Sequence, residues 1–167
     1  SFSFQIIVSY DFYKYINALY QANLERDAAD WEISNWKQYL FNKGREYVSQ
    51  NILQSLEART KLVDNLYIYH LVRNRVPPEG DSYITSLVGG STEESQLAII
   101  LGSAEFYTVA QTWPGTTGPT ADERFIQALY LKFLGKISSD QEEIDWIALI
   151  PSIGRTGVSQ SILEALE

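Results

Sequence analysis

Few groups in this chain can do chemistry, and their spacing limits what each can do. His70 is the only histidine, and cysteine is absent. A serine–histidine–acid constellation would have one imidazole to draw on, and the periodicity around His70 brings it neither a serine nor an acid. Metal sites built from imidazole or thiolate need more such ligands than the chain holds. No Asp-x-Asp-x-Asp-Gly loop occurs for calcium. The carboxylate pairs Glu93-Glu94 and Glu142-Glu143 are adjacent in sequence, and neighbours on a helix point about 100° apart, which suits neither pair to general acid–base work. Both fit first helical turns, where negative charge is favoured. Val88-Gly89-Gly90-Ser91 reads as a helix break rather than a phosphate cradle, and there is no Walker loop or dinucleotide fingerprint. The expectation is a chain with no catalytic residues, no cofactor and no metal, in which His70 is a solvated or half-buried helical residue.

Other groups recur. A cation stands at Arg26, Arg73 and Lys136, an acid six residues later at Glu32, Glu79 and Glu142, and an aromatic ten after the cation at Trp36, Tyr83 and Trp146. The aromatics could stack sugars, but each is flanked by aliphatics at helical spacing, so they are expected to fill equivalent core holes. Each cation closes a helix, where it complements exposed carbonyls, and the acid is placed for an ion pair or cap. One aromatic lies outside the pattern, Trp113 in Gln111-Thr112-Trp113-Pro114-Gly115-Thr116-Thr117-Gly118. Trp113, Thr112, Thr116 and Thr117 are the candidate contacts for a ligand or partner, because loops added to one unit of an array are where binding is grafted. The competing reading folds Trp113 back over the junction between units.

The elements that must position these residues repeat as well. GREYVSQNILQSLE, from Gly44 to Glu57, returns as GRTGVSQSILEALE, from Gly154 to Glu167. Leu-Tyr pairs at Leu19-Tyr20, Leu66-Tyr67 and Leu129-Tyr130 open three registers. Each register carries the cation, the aromatic, a glycine (Gly44, Gly90, Gly154) and a closing Ser55-Leu56-Glu57, Ser103-Ala104-Glu105 or Ala165-Leu166-Glu167. Ile16, Leu19, Tyr20 and Leu24 step along one helix face, as do Ile33, Trp36 and Leu40, and then Val48, Ile52, Leu53 and Leu56. Asp30 and Asp140 are expected N-caps, with Pro77-Pro78 at the matching place, and Ser91-x-x-Glu94 is expected to form a capping box. The fold class is all-α, built of tandem three-helix repeats packed around a shared core. The segments are 1–13 (closing helix of a truncated preceding repeat), 14–60, 61–107, 108–122 (inserted loop) and 123–167. The first segment goes against local propensity. Phe2, Phe4, Ile6 and Val8 alternate as in a strand, yet the register aligns Ser9 to Tyr13 with Ser103 to Tyr107, so Phe4 to Tyr10 is expected to be helical.

The pattern Ala-Leu-Tyr-x3-Leu-x-Arg, then Trp ten residues on, then Gly and an Ile-Leu-x-Ser-x-Glu helix, resembles the bacterial domain-of-unknown-function family 4214. The usual Leu-Gly-Arg is matched best by Leu134-Gly135-Lys136, whereas Leu24-Glu25-Arg26 and Leu71-Val72-Arg73 depart at the glycine. The resemblance covers essentially the whole chain as three units. It implies a helical module of large secreted or surface bacterial proteins, sometimes beside calcium-binding nonapeptide repeats, with no enzyme activity attached. A more distant likeness is to phycobilisome linker domains, also helical and non-enzymatic.

Composition narrows the partners. Of 167 residues, 45% are hydrophobic and 20% charged, as in a globular chain, and the net charge of −8 opposes nucleic acid and anionic membranes. No apolar run reaches the roughly 18 residues of a membrane span, so no membrane insertion is expected. The chain lacks an initiating Met and a signal peptide, which reads as a piece of something longer. The expected role is a non-enzymatic structural or assembly module of a secreted or cell-surface bacterial protein, with a cytoplasmic setting also open. Its partners would be other domains of a longer parent chain or another protein. The alternative is a carbohydrate- or protein-binding adhesin module that uses the Trp113 loop on a glycan or protein.

Overall fold

A computed structural model describes the backbone of residues 2–165 and the side chains of residues 11–165. Among the described residues there are helices and turns but no strand. The helices are α1 (Phe2–Leu24), α2 (Asp30–Leu53), α3 (Leu56–Leu66), α4 (Asp81–Val88), α5 (Glu93–Leu101), α6 (Ala104–Ala110), α7 (Ala121–Leu134) and α8 (Asp140–Glu164). A π-helical turn, Tyr67–Leu71, follows α3 directly. The chain divides into two compact units, 1–63 and 64–167.

The helical reading of Phe4 to Tyr10 holds despite its strand-like alternation. The helix does not stop at Ser9, as the register alone would suggest from Ser55 and Ser103, which both precede helix starts; α1 continues unbroken to Leu24. The helix boundaries expected at the two glycines are present: α2 and α8 are each two helices meeting at a kink, where Gly44 (φ 85°, ψ 175°) and Gly154 (φ 69°, ψ 171°) leave helical geometry. An L-residue rarely adopts such a φ, which accounts for glycine at both copies of the duplicated segment.

The caps shift by one residue from expectation. Ser139 caps α8, accepting from Glu142 N while its own N–H donates to Glu142 Oε2 at 2.7 Å, and Asp140 is the first helical residue. Ala29 precedes Asp30 in the same way, its N–H donating to Glu32 Oε2 at 2.8 Å. Thr92, not Ser91, caps α5 through Ser95 N. The Pro77-Pro78 pair lies before the α4 start, whose N-cap is Gly80. In each case the residue that fits is the one with an extended backbone or, at Gly80, a positive φ, a distinction that residue type alone does not make.

In the unit 1–63, α1 lays Phe12, Ile16, Tyr20 and Leu24 against Val48 and Ile52 of α2, with Ala28 and Ala58 completing the cluster. The i, i+4, i+8, i+12 spacing of the α1 set produces one continuous apolar face. In the unit 64–167, α8 packs on α5 and α7. Phe106, Phe125, Leu101, Ile126, Leu129 and Val158 are fully buried there, and the Phe106 and Phe125 rings meet edge-on at 6.1 Å. The three recurrent aromatics Trp36, Tyr83 and Trp146 are half-buried rather than core-filling. Each tryptophan lies at the core margin because its N–H needs a partner: Trp36 Nε1 donates to Tyr20 Oη and Trp146 Nε1 to Tyr130 Oη, both at 2.8 Å.

Candidate functional site

The Trp113 loop joins α6 to α7 and is tied down from beneath. Gln127, buried on α7, accepts from Thr117 N and Gly118 N through Oε1 at 2.8 and 2.9 Å. Its Nε2 donates to Glu143 Oε1 at 2.9 Å, and Ser138 Oγ donates to the same oxygen at 2.8 Å. Burying one amide satisfies two loop N–H groups and a buried carboxylate together, a network that holds a single geometry. Arg124 clamps the other side, donating to Gly118 O at 2.7 Å and to Gln111 Oε1 at 3.1 Å.

On this base the four candidate residues behave differently. Trp113 is half-buried, and Lys132 Nζ lies 4.2 Å from the indole centroid while donating to Tyr69 O at 2.6 Å. A cation against the indole strengthens its hold on α7 and takes up one ring face. Burial lowers the Lys132 pKa from its ordinary value. Thr116 folds under Trp113, its Oγ1 donating to Trp113 O at 2.8 Å. Thr112 and Thr117 are exposed. Trp113 and Thr116 therefore form one anchored turn, and only Thr112 and Thr117 present side chains outward beside the exposed Pro114.

The recurrent cations and acids form clasps. Arg26 forks onto Glu32 at 2.8 Å through both terminal nitrogens and onto Glu57 at 2.7 and 2.8 Å, with its guanidinium 4.9 Å from the Tyr20 ring centroid. Arg73 repeats this on Glu79 and Glu105, 5.1 Å from the Tyr67 ring. Lys136 makes a looser pair, 3.5 Å from Glu142 and 5.6 Å from the Tyr130 ring. The ion pair expected within each register is present. The second carboxylate, Glu57 or Glu105, was visible as the last residue of the recurring Ser-x-Glu ending, but no helical spacing links it to a cation about 31 residues away. The hydrogen bonds from Arg26 lower the pKa of Glu32 and Glu57, and those from Arg73 lower that of Glu79.

Sequence reasoning also passed over Arg75, whose side chain is 5% exposed and bridges Asp64 at 2.6 Å and Asp81 at 2.9 Å. His70 differs from expectation. It is buried in the π turn, stacked on Phe133 with ring centroids 5.8 Å apart, and its Nδ1 has no hydrogen-bond partner. Burial, with Lys132 nearby, pushes its pKa down to about 4. Trp31, unremarked in the sequence, is 71% exposed.

Among the described residues no three His, Asp or Glu side chains group to hold a metal ion, and no helix is long and apolar enough to cross a membrane. No protein-family model, curated protein or solved structure matches the chain.

Proposed function

We propose that this chain is a non-enzymatic helical-repeat module, structural or assembly-forming, of a secreted or cell-surface bacterial protein. The observation that carries the reading is the recurrence of one clasp in three registers: tyrosine ring, cation, and the acid six residues on. A device that closes a helical turn against the next helix is a fold-repeating feature, and its charged groups are spent on one another. On this reading the segments 14–60, 61–107 and 123–167 are tandem three-helix repeats, and the likeness to domain-of-unknown-function family 4214 is one of kind. The chain's partners are then other domains of a parent chain or another protein.

The Trp113 loop supports a second reading, a contact for a glycan or protein. An anchored turn that offers Thr112, Thr117 and part of an indole is a rigid presentation of hydroxyls and ring edge. A glycan microarray run beside a panel of ester, glycoside, phosphodiester and peptide substrates separates the readings. The module reading expects no turnover and no retained glycan. A glycan held by the native chain and lost in Trp113→Ala would replace it with the second reading, and hydrolysis abolished by a single substitution would replace both. Because Trp31 is the exposed indole, fluorescence quenching speaks for the loop only in a Trp31→Phe background.

A further inference from the structure

The first half of α8 has more apolar surface than its fold uses. Ile144, Ile147, Ala148 and Pro151 step i, i+3, i+4, i+7 along one side of the helix. Ile144 is 61% exposed, Ala148 and Pro151 are exposed, and Ile147 is half-buried. The packing face runs beside this stripe, through buried Glu143 and half-buried Trp146, Ile147 and Ile150, and leaves Ile144, Ala148 and Pro151 outside it. In α2, aligned on the kink glycines Gly44 and Gly154, the same positions carry Ser34, Lys37, Gln38 and Phe41. That helix folds with a mostly polar stripe, so folding does not demand the apolar one on α8.

The charges beside the stripe have one sign. Exposed Asp140 stands at its head, one turn before Ile144, and exposed Asp145 follows Ile144. Arg155, the first cation after the stripe, is turned inward: its Nε donates to Gly102 O at 3.2 Å and its guanidinium lies 4.4 Å from the Tyr107 ring centroid. An apolar ridge bordered by acids complements an amphipathic helix with an aliphatic face and Lys or Arg along its edges. A second copy of this chain, at net charge −8, is a poor electrostatic match.

We propose that the Ile144–Ala148–Pro151 ridge of α8 is a docking surface for a cationic amphipathic helix of a partner protein. This inference rests on the assembly reading above and gives it a partner chemistry. The test titrates the full chain by calorimetry with a synthetic helical peptide bearing leucines on one face and lysines on its flanks, and with its leucine–glutamate counterpart. The lysine peptide should bind, and the glutamate peptide should not. Ile144→Gln combined with Ala148→Gln should weaken the lysine peptide at least tenfold with the melting temperature unchanged, and Asp140→Asn with Asp145→Asn should flatten its salt dependence. The idea is overturned by no binding, by equal binding of both peptides, or by binding indifferent to the Ile144 and Ala148 changes. It is equally overturned if sedimentation shows a dimer of the native chain that those changes dissolve. None of these results bears on turnover or glycan retention, so the docking surface can fail while the module reading stands.

Discussion

Val72 holds a φ of 57°, and so does Glu25, while Gly135 sits at 63°. These are the residues immediately before the three clasp cations. In this left-handed region Cβ crowds the following carbonyl, at a cost of roughly 1–2 kcal/mol for an L-residue, and a β-branched side chain is the poorest occupant. Glycine carries no such penalty, though it loses more freedom on folding. Val72 is 67% exposed, so removing its side chain sacrifices little burial. Val72→Gly should therefore stabilise the protein by about 1 kcal/mol, read as a higher urea midpoint at constant slope. Gly135→Val should lower the midpoint, and an unchanged value in both would mean that the left-handed turn is not held in solution. The departures from Leu-Gly-Arg at Glu25 and Val72 were legible in the sequence. That all three positions nonetheless adopt the same turn was not, because it is imposed by the helices on either side rather than by the residue itself.

The clasps set a similar limit for whole elements. Helices, their order and the kink glycines follow from local spacing, and so does the Arg26–Glu32 pair. The closure of Arg26 onto Glu57 needs α2 to return, which no local pattern encodes. This closure changes the expected cost of losing the cation. Glu32 has a side chain only 9% exposed, and Arg26→Gln leaves that carboxylate without its bidentate partner. With the guanidinium itself 38% exposed, solvent screens part of the loss, which should come to about 1–2 kcal/mol by chemical denaturation. Lys136→Gln, removing an exposed 3.5 Å pair, should change stability less than Arg26→Gln does. Equal effects would show that the forked geometry contributes nothing. The α5–α8 crossing offers a second test. A Cβ on Gly102 would lie 2.5 Å from both N and Cα of Thr156, so Gly102→Ala must push the two helices apart. Overpacking of this kind costs about 1–3 kcal/mol, and a Gly102→Ala melting curve superimposable on the native one would show that the two helices do not approach this closely.

Across the whole molecule, the ionisable groups divide the acid response into two windows. His70 binds its proton less readily when folded, with a pKa of about 4 against an ordinary 6.5. The unfolded chain therefore takes up a proton first as pH falls, and stability declines from about pH 6.5 down to 4 and no further on this account. The clasp carboxylates act lower. Glu32 and Glu57 are held below the ordinary 4.5 by Arg26, and Glu79 by Arg73. Their contribution is intact above 4.5 and is lost as pH drops through the folded values. Between pH 7 and 4.5 the decline is thus assigned to His70 in the unit 64–167, with a size of about 2 kcal/mol from the two pKa values. Because the chain has two compact units, melts should be followed by more than one probe rather than assumed two-state. His70→Phe keeps an aromatic ring against Phe133 and removes the unpartnered Nδ1. It should flatten stability between pH 7 and 4.5 while leaving the steeper loss below 4.5 in place. Arg26→Gln should leave the decline between pH 7 and 4.5 in place and reduce, by the share of Glu32 and Glu57, the loss below 4.5. A His70→Phe protein that still weakens by the native amount on going from pH 7 to 4.5 would place the proton uptake elsewhere and remove His70 from the buried turn.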